Sequence, residues 1–290
     1  MNYIVIGSSG FIGSKVYASL KLDPKNSVVG ISSNQVDLSN KNSFKKLNSI
    51  TKPDSIIIMC AGVKKQLGDN IDVFEKNLNI INNFIRSILN VIPKQIIFFS
   101  SASVYGEDFF HPKKIDENTL VQNRSYYGIG KYMSELLLTK ACQEVKTKLI
   151  ILRPPLIYGV GDLSFGYGPT GFLRKALDRE EIIMWGDGTE LREFIFINDV
   201  VGVVKTLINS DFEGVLNLVS GTSYNYLNIM EIIKNSLKID FKISTRSRSK
   251  EKVDHLFSND RIMNFTNNFC FTSLESGIKM MHASMCLKKK

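Results

Sequence analysis

The first half of the chain alternates short apolar runs with longer segments in which apolar residues recur at helical spacing. This alternation predicts parallel strands joined by helices. The unbroken apolar run Ile-Ile-Ile-Met at residues 56–59 indicates a strand buried on both faces, as in a sheet covered by helices. We predict strands at residues 2–6, 27–31, 55–60, 95–100 and 148–153. We predict helices at residues 11–20, 41–49, 73–90 and 126–142.

The pattern becomes irregular after Pro154 and Pro155, and one short helix is predicted beyond them, at residues 172–178. Closely spaced glycines in this part indicate loops. They are Gly159, Gly161, Gly166, Gly168 and Gly171. The sequence therefore predicts an α/β fold, with a doubly wound parallel sheet and a smaller, loop-rich C-terminal substrate domain.

The composition suits a packed protein, with 43% hydrophobic residues, and the net charge is +9. Lys and Arg are scattered, and the one dense basic run is Lys288-Lys289-Lys290, so we expect a solvated tail and no nucleic-acid partner. No apolar run approaches the ~18 residues that span a bilayer, so we expect no integral membrane association and a cytoplasmic location. The cysteines are widely separated, and we predict no metal site.

Three glycines follow the first predicted strand, at Gly7, Gly10 and Gly13, and the first helix begins among them. In a dinucleotide site such glycines allow a tight turn, a close approach of the backbone to a pyrophosphate, and packing of the helix on the strand. The N–H groups at the helix N-terminus bind the anion. A purely structural glycine turn is the alternative, but the position at residue 7 favours a Rossmann-type cofactor site.

The residues after the second strand favour NADP as the cofactor. Sites selective for NAD place Asp or Glu there to bind the ribose 2′-hydroxyl, whereas this chain has Ser32, Ser33 and Asn34. Hydroxyl and amide groups tolerate a 2′-phosphate, although no arginine stands in this loop, so NAD stays possible. Asp37 and the following leucine either bound the adenine pocket or cap the next helix.

Tyr127 and Lys131 are four residues apart in the predicted helix 126–142, so both lie on one face. An ammonium near a tyrosine favours the tyrosinate, and we expect Lys131 to lower the pKa of Tyr127 from its usual value of about 10. Such a tyrosine can donate or accept a proton near neutral pH. Tyr126 is not spaced to pair with the lysine.

Several segments resemble the extended short-chain dehydrogenase/reductases of the NAD-dependent epimerase/dehydratase family, which act on nucleotide sugars. They are residues 98–106 (FFSSASVYG), 152–159 (LRPPLIYG), 186–201 (GDGTELREFIFINDVV), 217–221 (NLVSG) and 272–278 (TSLESGI). The resemblance covers nearly the whole chain. It implies a cofactor domain at residues 1–157 and 193–219, a nucleotide-sugar region at residues 158–192 and 220–290, and a homodimer formed by helices 73–90 and 126–142.

The resemblance also assigns the site residues. The catalytic residues would be Ser101, Tyr127 and Lys131. The cofactor would be bound by Gly7, Gly10, Phe11, Ile12, Gly13, Ser32, Ser33, Asp37, Leu38, Ala61, Asn77, Tyr127 and Lys131. The substrate would be bound by Ser103, Arg192 and Arg248.

Some of these assignments have plain structural alternatives. Ser101 could be an ordinary hydroxyl at a strand end, although ligands bind at the carboxyl ends of such strands. Asn77 could be an ordinary helical asparagine in an Asn-rich chain. Arg248 could belong to a solvated basic face together with Arg246.

The expected reaction is hydride exchange between the nicotinamide and C4 of the sugar, with Tyr127 moving the hydroxyl proton. Dehydratases of this family carry an Asp-Glu pair where this chain has Ala102 and Ser103, which disfavours dehydration. Family 4-epimerases often have Asn at the position of Leu156. We therefore expect NADPH-dependent reduction of a 4-keto-6-deoxy nucleotide sugar, with an NAD-dependent 4-epimerase as the alternative. An alternative of another class is a non-catalytic NADP-sensing regulator, but such a protein would have no need of Tyr127 as a proton donor.

Overall fold

The computed structural model describes residues 1–162, 167–248 and 251–287; Gly166 and the Lys288-Lys289-Lys290 tail lie outside them. The elements, in chain order, are β1 (Asn2–Ile6), α1 (Phe11–Lys21), β2 (Ser27–Ile31), α2 (Phe44–Asn48), β3 (Ser55–Met59), α3 (Ile71–Asn90), β4 (Gln95–Phe99), α4 (Tyr126–Val145), β5 (Lys148–Arg153), β6 (Leu156–Tyr158), α5 (Pro169–Leu177), β7 (Ile182–Trp185), β8 (Leu191–Phe196), α6 (Ile197–Ile208), β9 (Gly214–Asn217), β10 (Ser223–Asn225), α7 (Tyr226–Glu231), β11 (Ile243–Arg246), α8 (Asp260–Phe265) and α9 (Leu274–Leu287). Among these described helices, none is long and apolar enough to cross a membrane.

The chain forms two compact units. The first comprises Met1–Glu107, Leu120–Pro154 and Val201–Asn217, and the second comprises Asp108–Thr119, Pro155–Val200 and Leu218–Lys290. The predicted assignment of a cofactor domain and a nucleotide-sugar region stays a prediction.

The first unit contains a parallel sheet in which the described strands follow the order β2-β1-β3-β4-β5-β9. Every residue of β3 and β4 is buried, as the apolar runs predict. Side chains of α3 and α4, such as Phe84 and Leu138, pack with Ile57 and Ile96 of the sheet in one core. The crossover at β1 brings the carboxyl ends of β1, β3 and β4 to one edge of the sheet. This arrangement confirms the predicted Rossmann-type α/β fold.

Local side-chain chemistry moves several predicted helix boundaries. Helix α3 begins at Ile71, because the Asn70 side chain caps it by accepting a hydrogen bond from the Val73 N–H at 3.0 Å. The predicted helix 41–49 is reduced to Phe44–Asn48, because Asn42 has a left-handed backbone with φ of 65°. Helix α4 extends to Val145, beyond the predicted end at residue 142.

The second unit is less irregular than predicted. Strands β10, β8 and β6 form one sheet, with β10 antiparallel and β6 parallel to β8. Strand β11 pairs in parallel with β7. The predicted helix 172–178 is observed as Pro169–Leu177, with proline in its first turn. Phe172, Phe194 and Tyr226 form a buried aromatic cluster in this unit.

Candidate active site

The glycine turn after β1 is shaped by backbone packing. Gly7 has a positive φ of 83°, and a Cβ atom added to it would lie 2.9 Å from the backbone nitrogen of Ala61. A Cβ atom on Gly13 would lie 2.2 Å from the carbonyl oxygen of Gly7. Larger residues at either position would therefore push the turn away from β3 or from α1.

Helix α1 presents an uncapped N-terminus at this turn. Gly10 occupies the N-cap position in an extended conformation, and no side chain caps the helix. Phe11 and Ile12 form the first turn, so their N–H groups and that of Gly13 point toward the carboxyl edge of the sheet. Free N–H donors at the positive end of a helix fit the pyrophosphate of a dinucleotide.

The loop after β2 holds hydroxyl groups and no carboxylate as far as residue 36. The N–H and the hydroxyl of Ser32 both donate to Oε1 of Gln35, at 2.9 and 3.2 Å, while Ser33 is exposed. Asp37 accepts hydrogen bonds from the N–H and hydroxyl of Ser39, and these bonds hold its pKa below the usual range. Leu38 is buried. Asp37 therefore stabilises its own turn rather than capping α2.

The fold brings Ser101, Tyr127 and Lys131 together. Ser101 follows β4, and the other two residues lie one turn apart on α4. The Lys131 Nζ lies 5.9 Å from the centre of the Tyr127 ring and donates a 2.7 Å hydrogen bond to the carbonyl of Phe99. The Ser101 and Tyr127 hydroxyls interact directly. Helix α4 is fixed at its start by Ser125, whose hydroxyl accepts from the Gly128 N–H at 3.0 Å.

The structure corrects the expected ionisation of Tyr127. Burial raises the pKa of Tyr127 to about 12, although its interaction with Ser101 lowers it, and the Glu107 carboxylate raises it further. Burial also lowers the pKa of Lys131 to about 8, while Cys60 and Glu135 favour its charged form. The predicted depression of the tyrosine pKa by Lys131 is therefore wrong for the protein alone, because desolvation dominates the shift.

Asn77 acts on the backbone after β3. Its Oδ1 accepts from the Val63 N–H at 2.7 Å, and its amide donates to the Val63 carbonyl at 3.1 Å. Asn77, Ala61 and Lys131 also line a small cavity of about 20 Å³, enough for one water molecule. The hydrogen bonds of Asn77 to Val63 thus hold the loop after β3 in place.

Ser103 connects the site to a carboxylate that the sequence reasoning missed. Its hydroxyl accepts from Ser101 at 2.9 Å and donates to Oε1 of Glu107 at 2.7 Å. Glu107 forms an ion pair with Lys65, in the turn after β3. The two charged residues are 42 positions apart in sequence, so no local spacing could have predicted this pair.

A buried ion pair lies beneath the site. Glu135, on the same face of α4 as Lys131, accepts from the Nε and Nη2 atoms of Arg153 at 3.0 and 2.6 Å. The Ser100 hydroxyl donates to the same carboxylate, and Arg153 Nη1 donates to the Tyr105 hydroxyl at 2.8 Å. Despite its burial, the Glu135 carboxylate raises the pKa of Arg153. This network joins α4 to the ends of β4 and β5.

The two predicted substrate arginines meet at one carboxylate within the second unit. Arg192 forms an ion pair with Glu190 and donates to the Leu191 carbonyl at 2.8 Å. Arg248 donates to Glu190 at 3.0 Å and to Asp187 at 3.1 Å. Glu190 was missed, because its role depends on Arg248, 58 residues away.

A sequence model of the NAD dependent epimerase/dehydratase family matches residues 3–219 of the chain. The chain belongs to this family. As a family member it is an NAD(P)-dependent enzyme of the short-chain dehydrogenase/reductase type, which confirms the predicted class of enzyme.

Relatives of the chain carry different reaction names. A putative UDP-glucose 4-epimerase of Methanocaldococcus jannaschii is 25% identical over 262 residues, which cover 81% of this chain and 82% of the relative. A dTDP-4-dehydro-6-deoxy-D-allose reductase of a Streptomyces species is 22% identical over 194 residues, covering 61% of this chain and 57% of the relative. The crystal structure of a Thermotoga maritima UDP-glucose 4-epimerase with UDP-glucose has a TM-score of 0.90 at 18% identity and covers 100% of both chains. This likeness shows the fold.

Proposed function

We propose that the enzyme reduces C4 of a 4-keto-6-deoxy nucleotide sugar, with NADPH as the reductant. The observation that carries the proposal is the cluster of Ser101, Tyr127 and Lys131 at the carboxyl end of β4, in which the tyrosine is held in its protonated form. A protonated tyrosine is ready to give a proton to a carbonyl oxygen, as reduction requires.

Each residue of the cluster has a distinct part in this reaction. Ser101 hydrogen-bonds the reacting oxygen, and Tyr127 donates the proton to it. Lys131 binds the nicotinamide ribose and orients the tyrosine. The cofactor supplies the hydride when it is bound. Because NADPH carries no charge on its nicotinamide ring, it leaves Tyr127 protonated for the donation, whereas an oxidised ring would favour the tyrosinate.

The cofactor preference follows from the loop after β2. A carboxylate there would repel a 2′-phosphate, and the Ser32-Ser33-Asn34 sequence presents none. The turn from Gly7 to Gly13 holds the pyrophosphate against the N-terminus of α1. The family description names NAD, so the preference for NADP is this chain's own departure from it.

Relatives supply the substrate class. Nucleotide sugars appear in the names of the Methanocaldococcus, Streptomyces and Thermotoga proteins. Arginines bind diphosphates through paired N–H donors, and we assign that role to Arg192 and Arg248. Substrate binding would then replace their bonds to Glu190. Ser103 lies beside Ser101 and is the third residue that we assign to the sugar.

A 4-epimerase is the second candidate, because the Methanocaldococcus relative and the Thermotoga structure carry that name. The two reactions differ in their net consumption of cofactor. A reductase consumes one NADPH for each sugar, whereas an epimerase returns the hydride to the same sugar and leaves its bound NAD unchanged. Net consumption of the cofactor therefore decides between them.

The test incubates the purified enzyme with NADPH or NADH and with GDP- and dTDP-4-keto-6-deoxyhexoses. We expect stoichiometric consumption of NADPH and a smaller rate with NADH. Tyr127→Phe should lower kcat by at least about 10²-fold while retaining cofactor binding, because it removes the proton donor and keeps the ring. Bound NAD with net-neutral interconversion of two sugars would refute the reductase, and Tyr127→Phe activity near wild type would refute the role of the tyrosine.

We also propose that the enzyme is a homodimer formed through α3 and α4. Both helices leave apolar side chains exposed, including Leu136, Leu137 and Leu89. Burying two copies of such a surface in a four-helix contact suits a symmetric dimer.

A further inference from the structure

A continuous hydrogen-bonded path leads from Ser101 to a partly exposed carboxylate. The Ser101 hydroxyl donates to the Ser103 hydroxyl at 2.9 Å, which donates to Glu107 at 2.7 Å. The Ser103 N–H donates back to Ser101 at 3.1 Å and so holds the first hydroxyl in place. The Glu107 side chain is 40% exposed, and it also forms an ion pair with Lys65.

The proposed reaction requires a source of protons for Tyr127. Each reduction removes one proton from Tyr127 and leaves a tyrosinate, which must be protonated again before the next turnover. The tyrosine is half-buried at its ring and interacts with Ser101 at its hydroxyl. Ser101, Ser103 and Glu107 can therefore pass a proton inward from water by successive transfers along their hydrogen bonds.

We propose that Glu107 is the residue through which Tyr127 recovers its proton from solvent, with Ser103 and Ser101 as the connecting hydroxyls. This inference rests on the proposed reductase. In the balanced step, a proton from water reaches the Glu107 carboxylate, and the two serine hydroxyls rotate so that each donates toward Tyr127 instead of toward Glu107. Ser103 then takes the proton from Glu107 and releases its own to Ser101, and Ser101 likewise protonates the tyrosinate. No electron moves in this step, and the net change is one proton taken from water per sugar reduced.

The charge of Glu107 also affects the pKa of Tyr127. Its carboxylate raises the pKa of Tyr127, which keeps the tyrosine protonated between turnovers. A purely structural role for Glu107, as the partner that holds Lys65 and the turn after β3, predicts different behaviour. Loss of a structural contact would slow every turnover alike, whereas loss of the path leaves the first turnover intact, since Tyr127 begins protonated.

The experiment compares Glu107→Gln with the wild type in stopped-flow reactions containing NADPH and dTDP-4-keto-6-deoxyglucose or its GDP-linked counterpart. We expect a first turnover at the wild-type rate, followed by later turnovers slowed at least about tenfold. Lys65→Met is the matched control, because it breaks the ion pair and leaves the path from Ser101 to Glu107. It should keep the wild-type rate in both phases.

A measurement without cofactor or substrate tests the connection itself. In protein labelled with ¹³C at glutamate carboxyl groups, the Glu107 resonance is identified by its loss in Glu107→Gln. Ser103→Ala removes a hydrogen-bond donor from this carboxylate, so we expect the resonance to shift. An unchanged resonance would show that the two side chains do not interact in solution and would overturn the path.

The kinetic outcomes also separate the two proposals. If the wild type consumes no NADPH with any of these sugars, the proposed reductase activity and the proposed proton path are both wrong. If the wild type is active and Glu107→Gln matches it in both phases, or is slowed equally in both, the path alone is wrong. Slowing of the later phase in Lys65→Met to the same degree would assign the effect to the ion pair and would also overturn the path.

Discussion

The buried pair of Glu135 and Arg153 gives a stability prediction whose size follows from the structure. Both side chains are at most 5% exposed, and the guanidinium makes two hydrogen bonds to the carboxylate, at 3.0 and 2.6 Å. Hydrogen bonds to charged groups contribute roughly 1.5–3 kcal/mol each. Arg153→Met leaves the carboxylate buried, with the Ser100 hydroxyl still donating to it. We expect unfolding to become easier by about 3–5 kcal/mol, the usual cost of breaking such a pair.

Urea unfolding followed by circular dichroism measures this change. The double variant Glu135→Leu with Arg153→Met removes both charges, so it should recover at least about 2 kcal/mol relative to Arg153→Met alone. Lys140→Met is a matched control on the same helix, since it breaks the exposed pair with Glu144 at 3.3 Å, and it should change stability by less than about 0.5 kcal/mol. A loss below about 1 kcal/mol in Arg153→Met, or a double variant as unstable as the sum of its single variants, would refute the reasoning.

Three further predictions concern pH and assembly. The affinity of the wild type for NADP should fall as pH rises through about 8, where Lys131 loses its charge. In Lys131→Met the affinity should be weaker and should not change with pH in this range. An equal dependence of affinity on pH in both proteins would exclude the lysine as the ribose ligand. Burial raises the pKa of Glu193 to about 7, so the folded state binds its proton more tightly than the unfolded state does. The free energy of unfolding should therefore fall as pH rises from 4.5, the unfolded pKa, to about 7. Glu193→Gln does not titrate, so it should gain stability relative to wild type by up to about 1.4 kcal/mol per pH unit across this window, and a constant difference in urea unfolding would contradict the shift. Light scattering at micromolar concentration should show a dimer for the wild type and a monomer for Leu136→Glu, whereas a wild-type monomer would reject the proposed contact.

The strands of the central sheet were predictable because each is a short apolar run buried on both faces. The boundaries of β1, β2 and β5 were predicted to the residue, and β3 and β4 each end one residue earlier than predicted. The second unit was harder, because β6 and β10 have three residues each, too few for a periodic pattern. Helix 41–49 was overextended because its apolar spacing does not reveal the left-handed conformation of Asn42.

The cluster of Ser101, Tyr127 and Lys131 could be predicted only partly from local signals. Tyr127 and Lys131 were paired because they share a helix face, whereas Ser101 was assigned from the resemblance to the family. The ionisation of Tyr127 could not be predicted in this way. It depends on how much protein surrounds the hydroxyl and on Glu107, which approaches through a turn 20 residues earlier in the chain. Spacing along a helix shows which side chains share a face, but it does not show how far burial desolvates the Tyr127 hydroxyl. Likewise, the roles of Glu190 and Lys65 depend on contacts with residues far away in sequence.

The low pKa of Lys131 makes its side chain an unusually reactive amine. With a pKa of about 8, roughly a tenth of this group is uncharged at pH 7, compared with fewer than about one in a thousand for an ordinary lysine. The uncharged amine is the nucleophile toward acylating reagents. A limiting dose of an activated ester at neutral pH should therefore modify Lys131 ahead of the surface lysines. A bound nicotinamide cofactor would shield it, so the rate of labelling becomes a direct measure of cofactor occupancy that needs no knowledge of the sugar.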